Sequence, residues 1–300
     1  MENKEAAKYI ERIKIKGLWG RYDVDWELKS DVNILVGENG TGKSTILEIV
    51  KLLVKQKHTD IRIKYDFIHL VLNNNDSIGL RSTDMPPLKS LFRELNAYFI
   101  KTFDAPFFIK TEKESSRKPY IKSPLDDDLD AVMDVYVDYQ LNQNKKLRAN
   151  GKTYETVFAK QKYLIETLNR LFLPSEKRVD EDENRLSFLT MDNQKITSFE
   201  LSSGEKQLLI ILLTVLCQDE KPSVLLMDEP ELSLHITWQY ELIKIIRQLN
   251  PNCQVIIATH STSIFTKGWM DKLFFMDGVE GIRHKIAQLV VSDIQVAFQN

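Results

Sequence analysis

Cysteine is almost absent from this sequence: Cys217 and Cys253 are the two thiols in 300 residues. Both lie inside apolar stretches, Ile210–Cys217 and Cys253–Ala258, which argues against a disulfide framework or a metal site and for reduced core thiols. Long hydrophobic runs are missing as well. The longest, Leu208–Cys217, falls far short of the ~20 apolar residues that a spanning helix needs. Met1–Glu5 carries no apolar core of a signal peptide. Charge of one sign is not in excess either; the net charge is −2, so no global field draws the chain to nucleic acid. No internal repeat is visible. The only low-complexity feature is Asp126-Asp127-Asp128, which reads as a helix N-terminal turn or a solvated loop. These absences predict a protein of a reducing, cytoplasmic compartment without membrane contact. What is present, 28% charged and 43% hydrophobic residues, is the composition of an ordinary globular chain. Its length allows one large α/β domain or two smaller ones.

One segment stands out. Gly37-Glu38-Asn39-Gly40-Thr41-Gly42-Lys43-Ser44-Thr45 fits G-x-x-x-x-G-K-[ST], the phosphate-binding P-loop. Val32–Val36 before it reads as a buried strand, and Ile46–Val54 after it as a helix. Glycines let the backbone curl so that its N–H groups face an anion, and the helix N-terminus adds partial positive charge at the same point. Lys43 is placed to reach the β- and γ-phosphates, and the Ser44 hydroxyl to bind Mg²⁺.

The flanking sequence predicts an N-terminal lobe of antiparallel strands: Ile10–Ile15, Tyr22–Leu28, and a hairpin of 61–72 with Ser77–Arg81 around Asn73–Asp76. The middle changes character. Leu88–Ile100 reads as helix, and Lys110–Lys122 as a loop. Its bases Lys110, Lys113, Arg117, Lys118 and Lys122 could meet nucleic acid, but Glu112 and Glu114 interleave them, which favours a solvated loop. Leu125–Tyr139 and Tyr154–Phe172 show helical spacing on either side of an Asn150-Gly151 break, giving a pair of helices. Pro174–Glu183 reads as a charged linker. Then follow a hairpin (Arg185–Met191 with Lys195–Phe199), a helix (Ser203–Cys217) and a strand (Ser223–Met227). A helix (Ile236–Leu249), a strand (Val255–Ala258) and two late strands (Leu273–Met276, Arg283–Val290) complete the order. Residues 1–300 read as a single unit with a mainly helical insertion at 85–184.

Three more segments carry chemistry. Leu201-Ser202-Ser203-Gly204-Glu205-Lys206-Gln207 precedes an apolar helix; taken alone it could be only an N-cap. Val224-Leu225-Leu226-Met227-Asp228-Glu229-Pro230 is a buried strand ending in two carboxylates. Asp228 would hold Mg²⁺ and Glu229 would polarise an attacking water. Ile256–Ser261 is another buried strand, ending at His260. Ligands of parallel α/β sheets bind at such strand ends.

The order of P-loop, Leu-Ser-Ser-Gly-Glu, Leu-Leu-Met-Asp-Glu-Pro and Ala-Thr-His-Ser resembles the ABC-type ATPase superfamily. It looks like the soluble RecF/SMC/OLD-type, AAA-annotated branch. Ser203 and Glu205 stand where transporters usually carry Gly and Gln, and His235 where they usually carry Asp. The resemblance covers about residues 10–75 and 185–280. It implies an α/β P-loop NTPase with a mixed core sheet, an antiparallel lobe and an inserted helical segment. It also implies two heads closing on two ATP molecules, as a homodimer or with a related head. Gly37–Thr45, Asp228, Glu229 and His260 of one head would contact one ATP. Ser202, Ser203, Gly204 and Glu205 of the other would complete its site. A Q-loop glutamine is expected after the first hairpin; Gln140 and Gln143 are candidates, and neither stands in a recognisable motif. Lys101–Pro106 is faintly similar to ATPases of bacterial defence cassettes, including some retron systems, and is equally explained as a strand-to-turn passage.

The reading that follows is an ATPase using ATP and Mg²⁺, whose dimerisation controls a separate effector protein, with phage defence as a setting. No room is expected for an appended nuclease domain. The alternative is a RecF-like clamp that binds DNA in its ATP-closed state, which keeps nucleic acid as a candidate partner. A transporter subunit and an idle ATP-binding scaffold fit less well.

Overall fold

Alternation of side chains decides the first layer. The computed structural model describes residues 5–55, 61–82, 95–101, 123–149, 151, 153–183 and 185–276. Ile10, Ile13, Ile15 and Leu18 of β1 (Ile10–Leu18) point inward, with charged residues between them. β1 pairs antiparallel with β2 (Tyr22–Glu27) on one side and with β4 (Phe67–Leu72) on the other. β5 (Ser77–Arg81) closes the sheet through the turn at Asn73–Asp76. The outer face of β1 and β2 is a ladder of opposite charges. Arg12 donates to both carboxylate oxygens of Asp25 at 2.7 and 2.9 Å, and Lys16 pairs with Asp23. Such pairs add little stability but neutralise the face.

Strands β3 (Val32–Val36), β10 (Ser223–Asp228) and β11 (Cys253–Ala258) are buried at every position. Continuous burial is what a parallel sheet covered on both faces requires. With β6 (Asn96–Lys101) and β12 (Leu273–Phe275), they form a parallel sheet in the order β12-β3-β11-β10-β6. Pairing types are thus divided between two sheets, a parallel core and an antiparallel lobe. Ile34, Leu225, Met227, Val255 and Ile257 turn to one core, and Leu35, Val224, Leu226, Ile256 and Ala258 to the other. The second core is filled by the antiparallel lobe and α1 (Lys43–Val54).

The first core takes the helices α2 (Pro124–Ala149) and α4 (Ala159–Phe172), which follows the single turn α3 (Tyr154–Val157). It also takes α5 (Ser203–Leu216) and α6 (Ile236–Leu249). Leu129, Met133, Tyr136, Leu164, Leu168 and Phe172 share it with α5, α6 and the core strands, so the helical insertion packs on α5 and α6 and belongs to the same core. Asp126 sits in the first turn of α2, where it pairs with Lys206 of α5 at 2.7 Å. Antiparallel β7 (Lys177–Asp180), β8 (Ser187–Thr190) and β9 (Lys195–Ile196) form a third sheet. Cys217 and Cys253 are free thiols; burial pushes them up to about 12 and about 11.

Two sequence expectations are corrected. Residues 96–100, read as the end of a helix, lie in strand β6. Asn96–Lys101 matches Ser223–Asp228 residue for residue, and hydrogen bonding to β10 outweighs local helical spacing. Residues 177–180, read within a linker, form β7; Val179 is buried there and pairs with Phe188. The helix part at 88–94, the segments 102–106 and 110–122, and the strand at 283–290 lie outside the described residues.

Candidate active site

The P-loop joins β3 to α1 at the carboxyl end of the parallel sheet. Gly40 and Gly42 adopt left-handed φ of 80° and 101°, conformations that suit glycine, and Gly42 is the N-cap of α1. The first turn of α1 contains no acid, so its N–H groups keep their positive end for an anion. Lys43 is 4% exposed and donates to the carbonyls of Gly37 and Glu38 at 2.9 and 3.0 Å. Burial lowers its pKa, against the opposing charges of Glu229, Asp228 and Glu231. Thr41 Oγ1 donates to Glu38 O at 2.8 Å and closes the loop.

The Ser44 hydroxyl donates to Asp228 Oδ1 at 2.9 Å, joining residues 184 positions apart. The next residue leaves the sheet under strain. Glu229 has φ 48° and ψ 52°, a left-handed conformation that costs a non-glycine residue roughly 1–3 kcal/mol. Its N–H donates to Ala258 O at 2.8 Å, which pins the strained residue to β11. Glu229 Oε1 lies 3.4 Å from His260 Nε2. Glu38, Asn39, Glu229, Leu232 and His260 line an open cavity of about 620 Å³.

A nucleoside triphosphate with Mg²⁺ fits this donor set. The loop offers backbone N–H groups and an ammonium to phosphates, and Ser44 with Asp228 offers two hard oxygens to the cation. Among the described residues no three His, Cys, Asp or Glu cluster as a metal cage. That suits an ion whose other ligands are phosphate and water.

The structure places Ser202–Glu205 elsewhere. Ser202 is the N-cap of α5, in a capping box with Glu205: Glu205 N donates to Ser202 Oγ at 3.3 Å, and Ser202 N to Glu205 Oε2 at 2.8 Å. The Glu205 carboxylate also accepts from Ser175 Oγ at 2.8 Å and Lys177 Nζ at 2.7 Å. It is therefore buried, with both oxygens engaged by Ser202, Ser175 and Lys177, and acts as the cap of its own helix rather than as a group turned out to a ligand. Ser202 and Ser203 are exposed, and none of residues 202–205 lines the cavity beside His260. Gly204 packs so closely that a Cβ there would stand 2.4 Å from Ser233 O. Gln143 is not at this end of the molecule; it donates to Asp219, beyond the opposite end of β10.

Sequence reasoning missed two groups here. Trp19, with φ 54° at the β1–β2 turn, sets its ring against the α-carbon side of Gly42, where an added Cβ would meet it at 3.5 Å. This partly exposed ring at the edge of the loop can stack a nucleobase. Its signal, an aromatic beside a turn glycine, was too weak to single out. Glu231 Oε1 accepts hydrogen bonds from Thr259 and from the backbone of His260 and Ser261, and nothing in Pro230-Glu231-Leu232 announced it.

Comparison with known proteins agrees with this geometry. Residues 92–266 match the family model described as "AAA domain, putative AbiEii toxin, Type IV TA system", and residues 9–123 match one described as "AAA ATPase domain". The chain is 23% identical to the Septu protein PtuA of Bacillus thuringiensis, over 97% of this chain and 81% of that protein. It is 22% identical to the retron Vc95 probable ATPase of Vibrio cholerae serotype O1 biovar El Tor, over 79% of this chain and 67% of that one. Among solved structures it resembles an SMC head bound to the C-winged helix domain of ScpA. The TM-score is 0.51 at 15% identity, covering 89% of this chain and 93% of that one, which is a likeness of fold.

Proposed function

This chain belongs to the AAA-domain ATPase family whose model it matches over more than half its length, and from that premise we propose that it is a head that closes face to face with a second head on two ATP molecules. The observation that carries this reading is the open cavity. Glu229 and His260 line it, Leu232 and, nearby in sequence, Ile236 are exposed, and the exposed serines at the tip of α5 do not reach it. A site of this kind is completed from outside.

In this reading the P-loop amides and Lys43 bind the β- and γ-phosphates, and Ser44 and Asp228 hold Mg²⁺. The bound ion supplies charge to the phosphate oxygens. Glu229 orients the attacking water and takes its proton, and His260 stands at the γ-phosphate end. Ser202 and Ser203 of the second head, with the positive end of its α5, cap the γ-phosphate; Glu205 keeps that helix tip in shape. Hydrolysis then loosens the pair and signals to a separate effector. Bacterial defence is the setting that the similarity to a retron ATPase supports. The paired charges on the outer face of β1 and β2 give no reason to prefer a DNA clamp.

The test is the solution mass of Glu229→Gln by light scattering, with and without ATP and Mg²⁺. The variant is expected to bind ATP, hydrolyse it poorly and pass from monomer to dimer. A monomer that binds ATP with Mg²⁺ and stays a monomer would contradict homotypic closure.

A further inference from the structure

The turn that carries His260 is held by a carboxylate outside the P-loop and the Asp228-Glu229 pair. Glu231 Oε1 accepts from Thr259 Oγ1 at 2.6 Å, from His260 N at 2.8 Å and from Ser261 N at 3.2 Å. Two successive amides closing on one anionic oxygen form a nest, which selects one backbone conformation for the turn. Gln239 of α6 locks the same unit from behind. Its Nε2 donates to Leu234 O at 2.9 Å and Glu231 O at 3.3 Å, and its Oε1 accepts from Ser261 Oγ at 2.7 Å. Hydrogen bonds therefore tie Glu231 and Leu234 to the turn at residues 259–261.

The arrangement is costly. Glu231 Oε2 is buried with no hydrogen-bond partner among the described groups, and a buried acceptor without a partner is destabilising. What it provides is geometry: His260 Nε2 at 3.4 Å from Glu229 Oε1, at the mouth of the cavity.

We propose that Glu231 is a positioning residue for ATP hydrolysis, its carboxylate fixing the 259–261 turn so that His260 meets Glu229 at the γ-phosphate end. The inference rests on the reading of His260 given above. It separates two roles in one short segment: Glu229 acts on the water, and Glu231 acts through His260.

The test is a double-mutant cycle read by steady-state kcat and by ATP affinity. Glu231→Ala is expected to lower kcat by about 30- to 100-fold, the scale of a misplacement of about 1 Å in an active site. ATP affinity should change by less than about threefold, as for a group that does not touch the nucleotide. Glu231→Gln, which keeps an acceptor oxygen for the nest, should recover most of the loss. In a His260→Ala background, Glu231→Ala should cost no more than about threefold further, because residues acting as a unit are not additive. Full multiplication of the two losses overturns the proposal, as does a Glu231→Ala variant with wild-type kcat. A His260→Ala variant with wild-type kcat removes the underlying reading of the site and the proposal with it. Should Glu231→Ala not fold, Thr259→Val removes one of the three donors while keeping the side chain's size, and the same cycle applies.

Discussion

Gly204 shows how far a residue's meaning depends on its surroundings. In the first turn of α5, alanine would be the better helix former by roughly 1 kcal/mol, so local propensity favours Gly204→Ala. The fold reverses that sign. A Cβ at 204 would stand 2.4 Å from the Ser233 carbonyl oxygen, a backbone atom that cannot rotate away. Gly204→Ala is expected to destabilise the nucleotide-free protein by about 1–3 kcal/mol, the usual cost of overpacking. Thermal unfolding without ATP checks it. A rise in Tm would mean that Gly204 is kept for nucleotide contact alone. Glu229 makes the complementary point: its left-handed backbone is a strained state held by the hydrogen bond to Ala258.

At the scale of the element, α5 begins with a buried carboxylate. Burial alone would raise the pKa of Glu205; hydrogen bonds from Lys177, Ser202 and Ser175 outweigh it and hold the carboxyl below its ordinary value. The sign of the linkage follows. A carboxyl with a depressed folded-state pKa contributes stability that is present above its unfolded value and is lost as pH falls through the folded one. Glu205→Ala should therefore cost about 3 kcal/mol near neutral pH, where it also strands Lys177. The gap to wild type should narrow as the pH falls below about 4. Urea unfolding of both proteins at neutral and at acid pH measures this. A gap that does not change with pH would show that packing, not charge, is what Glu205 contributes.

The whole molecule depends on two sheets being held at a fixed offset, and one fully buried amide joins them. Gln254 of β11 accepts from Ile10 N at 2.8 Å and donates to Ile10 O and Lys29 O, each at 2.8 Å. It thus joins the parallel sheet to the antiparallel lobe at the end of β11 opposite Ala258. Gln254→Leu leaves three backbone groups without this partner. It should cost about 3 kcal/mol in stability. Because the contact lies at the far end of the strand, ATP affinity at 25 °C should stay within about twofold of wild type. A large loss of affinity in a folded variant would show that the lobe and the P-loop share their alignment through this contact.

The sequence by itself determined the P-loop, the two buried strands ending at Asp228-Glu229 and at His260, and the helix that follows Ser202. Each is set by local chemistry: glycines at left-handed positions, unbroken apolar runs, and a capping serine. It also determined the family, because four such motifs in order carry more information than any one of them. Only the tertiary structure decided what had no local signal. Asn96–Lys101 became a strand through its register with β10. Lys177–Asp180 became one through β8. Glu205 turned inward to Lys177, which the apolar helix beside it did not announce. Glu231 took hold of the His260 turn across 29 residues of chain. Backbone pairing and buried carboxylates are settled by partners distant in sequence, and a spacing rule sees only near neighbours.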